Sequence, residues 1–148
     1  MINHSETYEI RFIPKENILS IMPLLTQLNQ DVEPKVLKER VLEMVTQNYK
    51  CVGIYDNENL IGICGLWFMT RHYSGRSIEP DHVMIDQKYQ SKGLGKQLFN
   101  WIFDYARRNN MEAVELNTYV RNTRSHKFYY NNGVEILGYH FVNKLNMT

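Results

Sequence analysis

Between residues 8 and 13 the chain alternates polar and apolar side chains, Tyr8-Glu9-Ile10-Arg11-Phe12-Ile13, the period-2 pattern of a half-buried strand. The period then changes. Ile18, Ile21/Met22, Leu25 and Leu28 recur at helical spacing, and Pro23 is expected to start or kink that helix. A second helix opens near Pro34, behind Asp31 and Glu33, and sets Leu37, Val41 and Met44/Val45 on one face. Residues 51–55 and 60–69 read as strands around an Asp56-Asn57-Glu58-Asn59 turn, the second apolar nearly throughout and therefore central in its sheet. After a polar loop, His82-Val83-Met84-Ile85-Asp86 predicts a further strand. Leu94, Leu98, Trp101/Ile102 and Tyr105/Ala106 then trace an amphipathic helix that ends around Arg107-Arg108-Asn109-Asn110. Residues 113–118 predict a strand, 122–132 a short helix closed by Gly133, and 135–145 a final strand interrupted at Gly138. The order βααβββαβαβ is that of an α/β fold, a mixed sheet flanked by helices, in a single domain over residues 1–148.

At 148 residues and 43% hydrophobic, the chain can bury one real core and has no room for a second domain. Seventeen basic against 16 acidic residues leave a net charge of +1, which gives no general attraction to nucleic acid or a membrane surface, so any anion site must be local. The first six residues lack a basic stretch followed by an apolar core, and no apolar run reaches the roughly 18 residues of a membrane span; a soluble, cytoplasmic protein is expected. Cys51 and Cys64 fit neither a disulfide scaffold nor a metal motif. A hairpin turning at Asn57-Glu58 would set them opposite each other, too far apart for an unstrained bridge, so both are expected as reduced, buried thiols. His4, His72, His126 and His140 show no metal-ligand spacing, and no metal is expected.

The chemistry gathers at Gln90-Ser91-Lys92-Gly93-Leu94-Gly95, between a strand and the long helix. Glycines there let backbone amides approach a ligand, and the first-turn amides of a helix have no intrahelical partner, so a pyrophosphate could satisfy them. The Walker A spacing is absent, since Gly95-Lys96 is followed by Gln97. The dinucleotide fingerprint fails at Leu98, where it needs a third glycine. Taken alone, the run could equally be a glycine-rich helix cap.

A second segment matches alongside it. Asn122-Thr123-Arg124-Ser125-His126-Lys127-Phe128-Tyr129, with Gly133 four residues on, resembles the N-x-x-A-x-x-[LF]-Y…G segment of the GCN5-related N-acetyltransferase (GNAT) family, and Gln90 to Gly95 resembles that family's [QR]-x-x-G-x-[GA] loop. Both stand in the family's order and separation, and the element order from Tyr8 to Leu145 fits as well. Ser125 replaces the usual alanine, and Val134 a common phenylalanine. The resemblance implies a mixed, mostly antiparallel sheet with a splayed central strand pair, and acetyl-coenzyme A as co-substrate. Its pyrophosphate would lie on Gln90, Ser91, Lys92, Gly93, Leu94 and Gly95. Its pantetheine would pair with main-chain groups of His82, Val83 and Met84, and Asn122 would contact it.

Transfer of an acetyl group from a thioester to an amine needs a neutral nucleophile, an oxyanion donor and a proton for the leaving thiolate. Tyr129 falls on the tyrosine that the family commonly uses as acid; a phenol near 10 can protonate a thiolate near 8.5 at little cost, while Tyr130 beside it packs. For the base, Glu79, Asp81 and His82 lie at the entry to the cofactor strand. Glu79 and Asp81 share strand parity, and His82 is expected to face the other way. The oxyanion would be met by a backbone N–H near Met84 or Ile85. A glutamate that some members carry on the strand before the Asn-Tyr helix is replaced here by Asn117. Acceptor binding would fall on residues 27–38, 71–77 and 138–142. The acceptor expected is a primary amine on a small molecule or a protein N-terminus; a non-catalytic coenzyme A-binding module and transfer of another acyl group stand as alternatives. Strand edges in so small a sheet allow a homodimer.

Overall fold

In a computed structural model of the chain, residues 7–145 are described, so His4 and the expectation for the first six residues lie outside them. The chain divides into two compact units, Met1–Glu115 and Leu116–Thr148.

The first unit holds one sheet in the order β1 (Glu9–Ile13), β2 (Tyr49–Asp56), β3 (Asn59–Arg71), β4 (Gly75–Ile85), β5 (Ala113–Val114). Neighbours from β1 to β4 run antiparallel, and β5 joins β4 in parallel. A 3-10 turn, Lys15–Ile21, runs directly into helix α1 (Met22–Leu28), with Pro23 in the first helical turn, where its missing N–H forfeits no bond. Helix α2 (Pro34–Met44) starts on its proline for the same reason. Ile18, Ile21, Leu24, Leu25, Leu37 and Val41 close one face of the sheet over Tyr49, Cys51, Tyr55 and Ile63. Helix α3 (Leu94–Arg108) covers the other face: Leu94, Leu98, Ile102 and Ala106 pack on Val52, Ile54, Cys64, Leu66 and Ile78. Each such large side chain contributes about 1.5–3 kcal/mol. Arg107 and Arg108 stand at the carbonyl end of α3, where positive charge is favoured.

Three expectations are corrected. First, the segment expected as a loop before His82 is largely strand. β4 starts at Gly75, which pairs with Arg71, so only residues 72–74 turn, and Glu79 and Asp81 lie inside a strand rather than at its end. Second, β5 ends at Val114 instead of 118, and residues 134–145 belong to no helix or strand among the described residues; Ile136, Leu137, Tyr139 and Phe141 are exposed. Alternation favours an extended backbone, but a strand forms only where a neighbour accepts its hydrogen bonds. Third, the cysteines are not opposite each other. Asp56 pairs with Asn59, but β3 carries one extra residue between Leu60 and Gly62, so Cys51 meets Gly65 and Cys64 meets Val52. The slip sends the two thiols to opposite faces of the sheet, one into each core. Burial pushes the Cys51 thiol up to about 12 and Cys64 higher still, so neither is a thiolate near neutrality.

In the second unit, helix α4 (Thr123–Asn131) is capped by the Asn122 side chain, whose Oδ1 accepts from Ser125 N at 3.2 Å. It closes as expected at Gly133, whose φ is +78°. There Gly133 N donates to Tyr130 O at 3.1 Å and Val134 N to Tyr129 O at 3.1 Å, the paired bonds of a Schellman motif.

Candidate active site

The loop into α3 is built for close backbone approach. Ser91 and Gly93 adopt left-handed conformations, with φ of 64° and 75°, and Gly93, the α3 N-cap, has no side chain with which to cap the helix. A Cβ at Gly93 would meet nothing within 4 Å. Gln90 Nε2 donates to Ile85 O at 3.1 Å, and Asp86 Oδ1 accepts Lys88 N at 3.0 Å, fixing the loop to the end of β4. Uncapped first-turn amides on an anchored loop, with Lys92 beside them, suit a phosphate group.

β4 carries a bulge immediately upstream. Asp81 pairs with Gly65 and Met84 with Ile63, so Cys64 faces both His82 and Val83. His82 takes the extra position, with a φ of 34°, in the region that bulky residues seldom occupy. The expected parity is thereby overturned: His82 lies on the same face as Asp81. Its ring packs against Tyr49, centroids 5.7 Å apart, and its Nε2 lies 2.5 Å from the Tyr49 hydroxyl. Its Nδ1 is buried without a hydrogen-bond partner among the described residues. Burial holds the imidazole below its usual 6.5, against the opposing pull of Asp81. Both Asp81 oxygens are occupied: Oδ1 accepts His82 N at 2.8 Å and Oδ2 accepts Trp67 Nε1 at 3.1 Å.

The His82 shift has a sign that can be checked. A neutral ring in the fold and a ring of about 6.5 in the unfolded chain mean that the unfolded state binds more protons below 6.5. Stability is full above that value and falls as pH drops through the window between 6.5 and the depressed native pKa, by up to about 1.4 kcal/mol per pH unit. Denaturant midpoints at pH 7.5 and 5.5 should show this loss, and His82→Gln should remove it; equal pH dependence in both proteins would contradict the assignment.

Past Ile78, β4 leaves β5. Ser77 and Ile78 pair with Ala113 and Val114, and Glu115 N donates to Ile78 O at 2.9 Å, after which the described residues of the first unit offer β4 no further ladder on that edge. Pro80, which has no N–H to donate, sits on this stretch beyond the β5 pairing. Beside it Arg71 holds two carboxylates, Glu115 through Nε at 2.9 Å and Glu79 through its terminal nitrogen at 3.2 Å; both acids are largely buried. In the second unit, Asn122 caps α4, and Tyr129 lies one ring from Phe128, with centroids 5.6 Å apart.

Residues 18–134 match the family model described as Acetyltransferase (GNAT) family. The chain belongs to this acetyltransferase family. The uncharacterized N-acetyltransferase YhdJ of Bacillus subtilis (strain 168) is 23% identical over 116 residues, 78% of this chain and 82% of that protein. Among solved structures, a possible acetyltransferase from Clostridium difficile 630 superposes with a TM-score of 0.83 at 16% identity, covering 97% of this chain and 100% of the other. The aminoglycoside N-acetyltransferase AAC(6')-Iy, in complex with CoA, gives 0.82 at 14% identity, covering 99% and 100%.

As a GNAT protein the chain is an acetyl-CoA-dependent acyltransferase. For such an enzyme, sequence reasoning missed Glu115, Arg71, Tyr49, Trp67 and Gly65. Glu115 shares strand parity with Asn117, the position singled out instead, and an acid alternating within a predicted strand was its available signal. Tyr49 is brought beside Trp67 by the bulge in β3, and His82 beside Gly65 by the bulge in β4, neither of which the sequence marks. Among the described residues no cluster of His, Cys, Asp and Glu could hold a metal ion, and no helix is long and apolar enough to cross a membrane.

Proposed function

We propose that the chain moves the acetyl group of acetyl-CoA directly onto a primary amine of a small, cationic molecule. The observation that carries this reading is the end of β5 pairing on β4 at Ile78 within the first unit, continuous with a glycine-rich loop and an α3 start on Gly93, which has no side chain to cap it. Main-chain groups around His82, Val83 and Met84 would bind the pantetheine arm, and the loop from Gln90 to Gly95 the pyrophosphate. The amine nitrogen attacks the thioester carbonyl, the C–S bond breaks, and the amine's proton passes to a base while the thiolate receives one from Tyr129. Asn122 contacts the carrier.

Of the three candidate bases Glu79 is favoured, directly or through water. Asp81 has both oxygens engaged, and the His82 ring is enclosed with Nε2 on Tyr49. Arg71 pairs with both Glu79 and Glu115, and this pair of carboxylates supports an ammonium-bearing acceptor of the kind the name of AAC(6')-Iy gives for that enzyme.

Calorimetry with acetyl-CoA should give saturable binding, followed by thiol release with members of a panel of polyamines, aminoglycosides, amino acids and peptide N-termini. No heat at millimolar acetyl-CoA would sink the reading. Binding without thiol release from any amine would replace it with a coenzyme A-binding module.

A further inference from the structure

We propose that Tyr49, Trp67 and Asp81 are positioning residues: together they clamp the β4 bulge and so decide which backbone amides β4 offers to the acetyl carrier. The inference rests on the acetyl-CoA reading above.

The side chains of Tyr49, Trp67 and Asp81 close a ring with His82, which joins through both its imidazole and its backbone N–H, and His82 and Tyr49 lie over Gly65. His82 N donates to Asp81 Oδ1 and Trp67 Nε1 to Asp81 Oδ2; the Trp67 ring lies 5.0 Å from Tyr49, and the Tyr49 hydroxyl meets His82 Nε2. Gly65 leaves the interior open, since a Cβ there would come within 2.2 Å of His82 Nε2 and 2.8 Å of Tyr49. A bulky residue at positive φ persists only where its surroundings over-determine it, and this ring supplies that constraint.

The consequence lies in the alternation of the backbone. Upstream of the bulge, Arg76 O and Ile78 O accept from Glu112 N and Glu115 N, so even-numbered residues face the β5 edge. Downstream, Asp86 N donates to Ile61 O, so even-numbered residues face β3, and Val83 and Ile85 turn their N–H groups to the released edge. The extra residue at His82 makes this switch. If the bulge relaxed into regular strand, register would shift by one, and Val83 and Ile85 would turn their amides into the β3 ladder.

The test uses the full chain and acetyl-CoA, with backbone amides followed by nitrogen-15 NMR. In the native protein, acetyl-CoA should shift Val83 and Ile85 together with Gly93 and Gly95. In Tyr49→Phe, which keeps the ring and removes the hydroxyl, the response at Gly93 and Gly95 should persist, that at Val83 and Ile85 should be lost, and Kd should rise at least tenfold. A general loss of stability would not separate the two responses. Should Tyr49→Phe fail to fold, Trp67→Phe, which removes only the donor to Asp81, carries the same expectation. Variants that bind within twofold of native with the β4 response intact would overturn the clamp. Absence of acetyl-CoA binding by the native protein would overturn the functional reading, and the clamp with it.

Discussion

Tyr129→Phe should lower kcat by about 10²-fold or more while leaving the Kd for acetyl-CoA within about twofold, the signature of a group needed only in the transition state. The departing thiolate needs a proton, and a phenol near 10 supplies one to a group near 8.5 with little driving force lost. Phenylalanine keeps the aromatic contact with Phe128 and the helix around it, so a purely packing role would leave turnover intact. Thiol release measured under saturating acetyl-CoA, set beside calorimetric affinity, decides between them.

Gly65→Ala should destabilise the fold by about 2–3 kcal/mol, read as a fall in denaturant midpoint at constant slope. An alanine Cβ would lie 2.2 Å from His82 Nε2 and 2.8 Å from Tyr49, and neither ring can swing aside, because each holds the other through the hydroxyl contact. Shrinking the neighbour should restore room: Gly65→Ala combined with His82→Ala is expected to be less destabilised than the two single changes summed. Additive losses would show that the space around Gly65 does not come from the imidazole.

The same site shows how far the sequence could be read. The glycine-rich run, the long helix behind it and the short helix with its closing Gly133 are local features, each written within a few residues, and they appear where expected. The bulges are not local. An extra residue at Ile61 or His82 changes nothing in the hydrophobic pattern until pairing with the neighbouring strand is known, yet it moves every later side chain to the other face. Alternation alone therefore puts His82 on the wrong face and the cysteines opposite each other. Glu79 and Asp81, with Pro80 between them, are polar for a central strand and read as a strand end. Their polarity reflects the Arg71 and Trp67 partners and a missing β5 neighbour. Residues 134–145 differ in the opposite direction: they alternate, yet they pair in no strand among the described residues.

The slip at Ile61 also equips the protein with two independent reporters of its own breathing. Cys51 lies under α1 and α2 and Cys64 under α3, both sealed from solvent, so a thiol-specific alkylating reagent reaches each only when the layer above it lifts. Labelling rates at the two sulfurs, resolved by peptide mass, would time the opening of the two cores separately in a single sample with no engineered probe.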